Sequence, residues 1–398
     1  MDEQERVPPA EEYSPRRFLA FQTRAGGIAG PLLSALLAFL AGGLVVALAG
    51  KNPLSVYRAI WEGTGLSWFF ELPWDTGSTT AMNLQQTLLI TTPIVLTGLA
   101  VAFAFRCGMF NIGGQGQYLV GAMVAVWVGS SFAGLPRPVH VLLTILCASL
   151  AGALYAGIAG LLKATVGAHE VITTIMLNWI AVWTGAYLFG LDGPLQSDVQ
   201  SIPVSNDVAD SAKLPVFWGD PLLQGLSIGI FFAVAALAAY WIVINRTTLG
   251  FEVRAVGFNP EAARYGGISV ARNYFLAMAI AGSFAGLAGG LDILGWEFRI
   301  GVLDIYQQGA GGLGFIGIAV ALLGRNTAIG TALAALLFAA LSQGTSTRNL
   351  DPNIFQPELA TNLTRIIQGL VVLFVGADVL ILWLWNLRRR ARLARAPA

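Results

Sequence analysis

The side chains of this chain best suited to holding a polar solute are amides and hydroxyls set among glycines. The stretch Phe105–Gln117 reads FRCGMFNIGGQGQ and interleaves Gly108, Gly113, Gly114 and Gly116 with Asn111, Gln115 and Gln117. Glycine lets a backbone approach its neighbours closely, and each amide offers donors and acceptors. The stretch therefore suits either a tight turn between helices or a polar lining. A second group, Glu170, Thr174 and Asn178, stands at i, i+4 and i+8 and shares one helical face. Polar groups on such a face must meet protein or water, because lipid leaves them unsatisfied. Hydrogen bonding between helices and contact with a solute are both open at these positions. A third group, Asn259–Ile268 (NPEAARYGGI), opens with Asn before Pro and Glu and closes on Gly266-Gly267. That order predicts a short capped helix. It suits either docking into a groove on a partner or lying at the lipid headgroups.

The covalent chemistries are poorly represented. A phosphate-binding loop needs Gly-Lys-Ser/Thr, and Lys51, Lys163 and Lys213 are followed by Asn52, Ala164 and Leu214. Cys107 and Cys147 lie in or beside apolar stretches and read as buried small side chains. His140 and His169 share no metal-ligand or catalytic spacing with them. Asp292 is the main acid within an apolar stretch, with Glu170 and Asp378 nearer the ends. Intramembrane acids are functional candidates, yet a single one makes a poor ion-coupling site.

The elements that must position these residues are membrane spans. Hydrophobic residues make up 56% of the 398 and charged residues 11%, and the mean hydropathy is +0.67. Soluble domains carry about 25% charged residues. The expected fold is all-α, a polytopic transmembrane bundle of about ten spans, since about 20 apolar residues cross a bilayer. The apolar stretches fall near 28–49, 87–105, 118–135, 139–162, 171–190, 224–245, 274–294, 313–324, 327–343 and 361–385. The eighth is short for a span and reads as a half-helix or hairpin member. Gly282, Gly286 and Gly290 repeat every fourth residue, a close-packing face. A short echo links Gly98-Leu-Ala-Val-Ala, eight positions before Arg106, with Gly317-Ile-Ala-Val-Ala, eight before Arg325.

Basic residues favour the cytoplasmic side. With the N-terminus inside, that side holds Arg6, Arg16, Arg17, Arg24, Arg106, Lys163, Arg246, Arg254, Arg264, Arg272, Arg325 and the arginines from 388 onward. The other side holds Lys51, Arg58, Arg137, Lys213, Arg299, Arg348 and Arg365. Both termini are thus expected in the cytoplasm. The domain reading is a disordered cytoplasmic tail over 1–27, a membrane domain over 28–385 with a cytoplasmic segment at 246–273, and a basic tail over 386–398. The N-terminal stretch lacks the basic start and short apolar core of a secretory signal. External segments are expected near 50–86, 191–223 and 344–360, the first rich in Trp61, Trp68, Phe69, Phe70 and Trp74. The net charge of +1 gives no signal for nucleic acid.

Four phrases in order carry a family resemblance: FNIGGQGQ at 110–117, HEVITTIMLN at 169–178, GFNPEAARYGGI at 257–268 and GIAVALLG at 317–324. Over about 28–385 the chain resembles permease subunits of bacterial ABC importers for nucleosides, simple sugars and branched-chain amino acids. It is most similar to the nucleoside branch fed by basic membrane proteins. Relatives usually carry Glu where Gln115 stands and often Asn where His169 stands. The resemblance implies a multi-pass protein of the bacterial cytoplasmic membrane that performs no catalysis and holds no cofactor. It implies a second, related permease chain, a cytoplasmic ATPase carrying ATP and Mg, and an extracytoplasmic substrate-binding protein. It makes Asn259, Glu261, Ala262, Ala263, Arg264, Tyr265 and Gly267 the element that couples to the ATPase. Asn111, Gln115, Gln117, Glu170, Thr174 and Asn178 are the pathway candidates by polarity and position. Ribose-like sugars and branched-chain amino acids are the alternative cargoes, and an ATP-independent secondary transporter is a further alternative.

Overall fold

Each of the ten apolar stretches carries a helix. In the computed structural model, which describes residues 35–132, 134–199, 201–309, 312–346 and 357–376, these are α1 (Ala35–Leu48), α3 (Thr79–Arg106), α4 (Gly114–Ser131), α5 (Arg137–Val166), α6 (Glu170–Phe189), α7 (Gly229–Arg246), α10 (Val270–Asp292), α12 (Leu313–Leu323), α13 (Ala328–Gly344) and α14 (Pro357–Gly376). Between them lie α2 (Pro53–Thr64), α8 (Thr248–Phe258), α9 (Pro260–Tyr265) and α11 (Val302–Gly309). Five of the helices, α3, α5, α6, α7 and α10 with the π-helical turn that extends it to Glu297, are long and apolar enough to cross a membrane. The chain is a polytopic helical bundle. The tails expected at 1–27 and 386–398 lie outside the described residues.

α3 is the central post. It is buried along most of its length from Leu84 to Ala104, whereas α5 turns Leu142, Leu146, Leu150, Leu154 and Leu161 outward in a stripe. Apolar side chains exposed at that spacing need lipid or another chain against them. The helices approach on glycine. A Cβ on Gly282 would stand 2.2 Å from the Gly152 carbonyl oxygen, and one on Gly286 would stand 2.3 Å from that of Ala148. The Gly282–Gly286 face expected from sequence is thus the seam between α10 and α5.

The two echoing segments meet. A Cβ on Gly98 would come within 2.7 Å of Val320, and one on Gly317 within 2.7 Å of the Thr97 backbone. α12 and α13 form a hairpin whose turn residues Arg325 and Asn326 take positive φ, 51° and 54°. Arg106, at the end of α3, donates to the Asn326 carbonyl from Nε at 3.1 Å and Nη2 at 2.6 Å. The Tyr240 hydroxyl donates to the same oxygen at 2.7 Å. The short eighth stretch is therefore one arm of a hairpin clamped to the central post.

At the opposite end, residues 190–228 lie across the helix ends. The amides of Ser205, Val208 and Leu214 donate to the carbonyls of Ile300, Phe298 and Leu294, each at 2.9 Å. His140 is spent here: Nδ1 meets Ser211 Oγ at 2.8 Å and Nε2 faces the Val128 carbonyl at 3.2 Å. Because a carbonyl only accepts, Nε2 carries a proton. Lys213 donates to Asp210 at 2.7 Å, which holds that exposed carboxyl below its usual range. A two-stranded antiparallel hairpin, β1 (Val216–Trp218) with β2 (Leu226–Ser227), closes the segment.

Candidate functional site

The glycine-amide stretch builds a junction among α4, α6 and α12. Asn111 and Gln117 exchange hydrogen bonds: Asn111 Nδ2 donates to Gln117 Oε1 at 3.0 Å, and Gln117 Nε2 donates to Asn111 Oδ1 at 2.9 Å. Asn111 Oδ1 also accepts from the Gly113 amide at 3.1 Å. Asn178 reaches across from α6, accepting from the Gly116 amide at 2.8 Å and donating to the Ile112 carbonyl at 3.0 Å. Thr174 packs over Gly113, where a Cβ would stand 2.9 Å from the Thr174 Cβ. Asn111, Gln117, Thr174 and Asn178 are all buried.

This arrangement follows from how α4 begins. Its N-cap, Gly113, has no side chain to cap the helix, and the first turn of a helix presents amides without helical partners. Asn178 supplies the missing acceptor to Gly116 from a neighbouring helix. Gln115 does the same for α12, whose N-cap Gly312 also makes no side-chain cap. Gln115 Oε1 accepts from the Gly314 amide at 2.9 Å. Its Nε2 is buried without a hydrogen-bond partner. Glu170 stands a turn away at the start of α6 and forms an ion pair with Lys163 at 2.9 Å. The structure thus brings Asn111, Gln117, Thr174 and Asn178 into one knot, points Gln115 at α12 and sets Glu170 apart.

The second site lies at the end of the bundle that carries Arg106. Asn259 caps α9, its Oδ1 accepting from Glu261 at 3.0 Å and Ala262 at 3.1 Å, and Gly267 leaves the helix with φ 82°. This is the capped helix expected from the sequence. Ala263 is buried and anchors it, while Glu261, Ala262, Arg264 and Tyr265 face outward. Tyr265 is 98% exposed and Phe258, at the end of α8, is 91% exposed. Two large rings presented this fully suit contact with lipid headgroups or with another chain. Phe258 gave no signal in the sequence because it ends a helix otherwise half buried.

The element is tied to the bundle. A Cβ on Gly257 would stand 2.3 Å from the Arg106 carbonyl, so α8 packs on the turn that leaves α3. Asn273 Nδ2 in α10 donates to Glu252 Oε2 in α8 at 3.0 Å. Cys107 Sγ lies 3.8 Å from the Asn273 carbonyl, and burial pushes this thiol up to about 12. α8 is thus joined to α3 by backbone contact and to α10 by one buried amide.

A network not legible in the sequence surrounds Asp292. The Tyr118 hydroxyl donates to one carboxylate oxygen and Trp296 Nε1 to the other. Tyr118 lies on α4, far away in sequence. Among the described residues, no cluster of His, Cys, Asp or Glu could hold a metal ion.

These features define a multi-pass helical membrane protein. Residues 83–376 match the family model described as branched-chain amino acid transport system / permease component. The chain belongs to this permease family. It is 38% identical to the guanosine ABC transporter permease protein NupP of Bacillus subtilis, over 87% of this chain and 92% of the relative. It is 32% identical to the nucleoside ABC transporter permease protein NupB of Lactococcus lactis, over 88% and 91%. It is 35% identical to the glucose ABC transporter permease protein TsgB13 of Haloferax volcanii, over 87% and 86%. The same two bacteria each hold a second, more distant match, NupQ at 30% and NupC at 27%, each over 63% of this chain. No solved structure is a significant match.

Proposed function

We propose that this chain is a permease subunit of an ATP-driven ABC importer that moves nucleosides across a bacterial cytoplasmic membrane. The observation that carries the reading is the α8–α9 element, with Phe258 and Tyr265 presented to solvent at the basic end and Gly257 seated on the end of α3. Such a surface needs a partner, and a cytoplasmic ATPase is the partner this family uses. Similarity over most of the chain to NupP and NupB, named for guanosine and nucleosides, supports the cargo. The paired matches to NupQ and NupC support a second, related permease chain as partner. An extracytoplasmic binding protein completes the assembly.

In this reading about ten spans, with the short α12 as a hairpin arm among them, make up the membrane domain and both termini face the cytoplasm, in keeping with the basic-residue asymmetry. ATP and Mg sit on the partner. Asn259, Glu261, Ala262, Ala263, Arg264, Tyr265 and Gly267, joined by Phe258, couple to it. Docking that differs between nucleotide states shifts the bundle between outward-open and inward-open forms, because only a differential contact moves such a balance. Asn111, Gln115, Gln117, Glu170, Thr174 and Asn178 border the pathway. Since most of their hydrogen-bonding groups are spent on other groups of the protein, Asn111 and Gln117 on each other, Asn178, Thr174 and Gln115 on backbone and Glu170 on Lys163, they act by holding its walls in register.

A sugar cargo is the second reading, supported by the similarity to TsgB13. Uptake of labelled guanosine, ribose, glucose and leucine by cells with and without this chain separates the two. Loss of guanosine uptake alone is the expected result. Loss of sugar or leucine uptake with guanosine untouched overturns the nucleoside reading and keeps the permease.

A further inference from the structure

Arg106 ends α3 and meets a different element on each side. Its main-chain carbonyl lies beneath α8, where a Cβ on Gly257 would stand 2.3 Å from the oxygen. The chain then leaves the helix through Gly108 at φ 72°, and a Cβ there would stand 3.2 Å from the Gly257 carbonyl oxygen. α8 is therefore seated on this turn backbone to backbone. The Arg106 guanidinium reaches instead to the hairpin of α12 and α13, with Nε at 3.1 Å and Nη2 at 2.6 Å from the Asn326 carbonyl oxygen.

That carbonyl is an anchor point. It accepts a third bond from the Tyr240 hydroxyl of α7 at 2.7 Å, and bonds from a cationic donor are the strong kind. The turn it belongs to sets two consecutive non-glycine residues, Arg325 and Asn326, at φ 51° and 54°. Such backbone persists where its surroundings over-determine it. The hairpin beyond is tightly closed. A Cβ on Gly330 would stand 2.2 Å from the Gly324 carbonyl oxygen, and one on Gly324 would stand 2.4 Å from the Thr331 nitrogen. At its other end α12 abuts α4, where the Gly314 amide donates to Gln115 Oε1 at 2.9 Å and a Cβ on Gly314 would stand 2.2 Å from the Gln115 nitrogen.

From α8 to the amide junction the joints are thus backbone on backbone, except the one where Arg106 holds Asn326 by its side chain. Close-packed joints pass displacement on because they compress little. We infer that Arg106 is a positioning residue for transport, passing displacement of the docked α8–α9 element into the α12–α13 hairpin and so into the junction that borders the path. The inference rests on the importer reading above. Arg106 is half-buried and bonded within the chain, so its loss separates docking from transport, whereas loss of Phe258 or Tyr265 removes both. α12 also packs along α3 through Gly98 and Gly317, so a missing guanidinium frees the turn without dissolving the bundle.

The test uses the assembled transporter in liposomes, with both permease chains, the ATPase and the binding protein. It measures ATPase retained, ATP hydrolysed and guanosine accumulated. Arg106→Met keeps a long stem and loses every donor. It is expected to retain the ATPase and its hydrolysis while guanosine moved per ATP falls about tenfold. Arg106→Lys keeps the charge and gives up the two-pronged hold, so a fall of only about threefold is expected. A merely structural role lowers hydrolysis and transport in step and leaves their ratio alone. An unchanged ratio in every variant that assembles therefore overturns the relay. Hydrogen exchange on the same complexes, with ATP and vanadate or without nucleotide, gives a second reading. Peptides over 248–265 and 314–326 should both respond in the parent, and only the first should respond in Arg106→Met. A parent that imports guanosine with 314–326 unresponsive overturns the relay and leaves the importer reading intact. A parent that binds no ATPase removes both. A response at 314–326 that depends on Arg106, in a complex that imports no guanosine, upholds the relay and removes only the nucleoside cargo.

Discussion

Replacing Asn178 with alanine tests whether the amide junction frames the path or touches the cargo. The side chain makes two bonds, accepting from Gly116 at 2.8 Å in the interior and donating to the part-buried Ile112 carbonyl at 3.0 Å. Each backbone group orphaned in a protein interior costs about 1–3 kcal/mol, which brackets the loss at about 2–6 kcal/mol. Side-chain bonds between membrane helices average nearer ~0.6 kcal/mol, because the unfolded chain in lipid finds other partners. Here the amide of Gly116 lies in the first turn of α4, where no helical acceptor exists. Re-pairing within the helix is closed to it, and a loss of about 3 kcal/mol is expected. The assay is the melting temperature of the purified permease beside guanosine uptake corrected for the amount in the membrane. Asn178→Ala should lower the melting temperature by several degrees and lower uptake only in step with the folded amount. Asn178→Asp keeps an acceptor for Gly116 and should recover part of the loss. An unchanged melting temperature with uptake abolished would refute the framing argument and make Asn178 a cargo contact.

Three further outcomes follow from the packing. Gly314→Ala should prevent assembly, since its Cβ would stand 2.2 Å from the Gln115 backbone nitrogen; Gly369→Ala, with nothing within 4 Å, should leave membrane levels unchanged or slightly raised. Gln115→Glu keeps the acceptor for Gly314, removes the orphaned donor and sets negative charge at the start of α12, so its melting temperature should match or exceed the parent, whereas Gln115→Leu should fall by about 1–3 kcal/mol. Cys107, with its thiol pushed up to about 12 by burial, should resist a charged methanethiosulfonate reagent at pH 7–9 in the Cys147→Ser background and react only after unfolding.

What the sequence displayed and what it hid divide along the range of the interactions. α9 could be bounded from its own residues, because Asn259, Pro260 and the Gly266-Gly267 pair act within a turn of one another. The ten apolar stretches and the Gly282–Gly286 seam were equally open to reading, since lipid and close packing impose composition directly. The start of α3 was not. Its first turns carry Asn83, Gln85 and Gln86, so the apolar pattern begins near 87 while the helix begins at Thr79, capped by Ser78. Gln85 and Gln86 meet the hairpin bearing Trp218, a partner more than a hundred residues away in sequence. The amides at 111, 115, 117 and 178 could be seen as polar residues at depth, but spacing holds no record of which amide bonds which. Tyr118 with Asp292, and Arg106 with Asn326, are long-range pairs of the same kind.

The most direct test of the whole account is transport by the reconstituted complex in liposomes, supplied with ATP or with an ion gradient alone, comparing the parent with Phe258→Asp and with Tyr265→Ala. Guanosine should accumulate only with ATP. Both variants should insert and melt like the parent while losing ATPase binding and uptake together, because their rings are exposed and hold nothing within the chain. Accumulation on an ion gradient without ATP, or undiminished ATP-driven uptake by both variants, would contradict it.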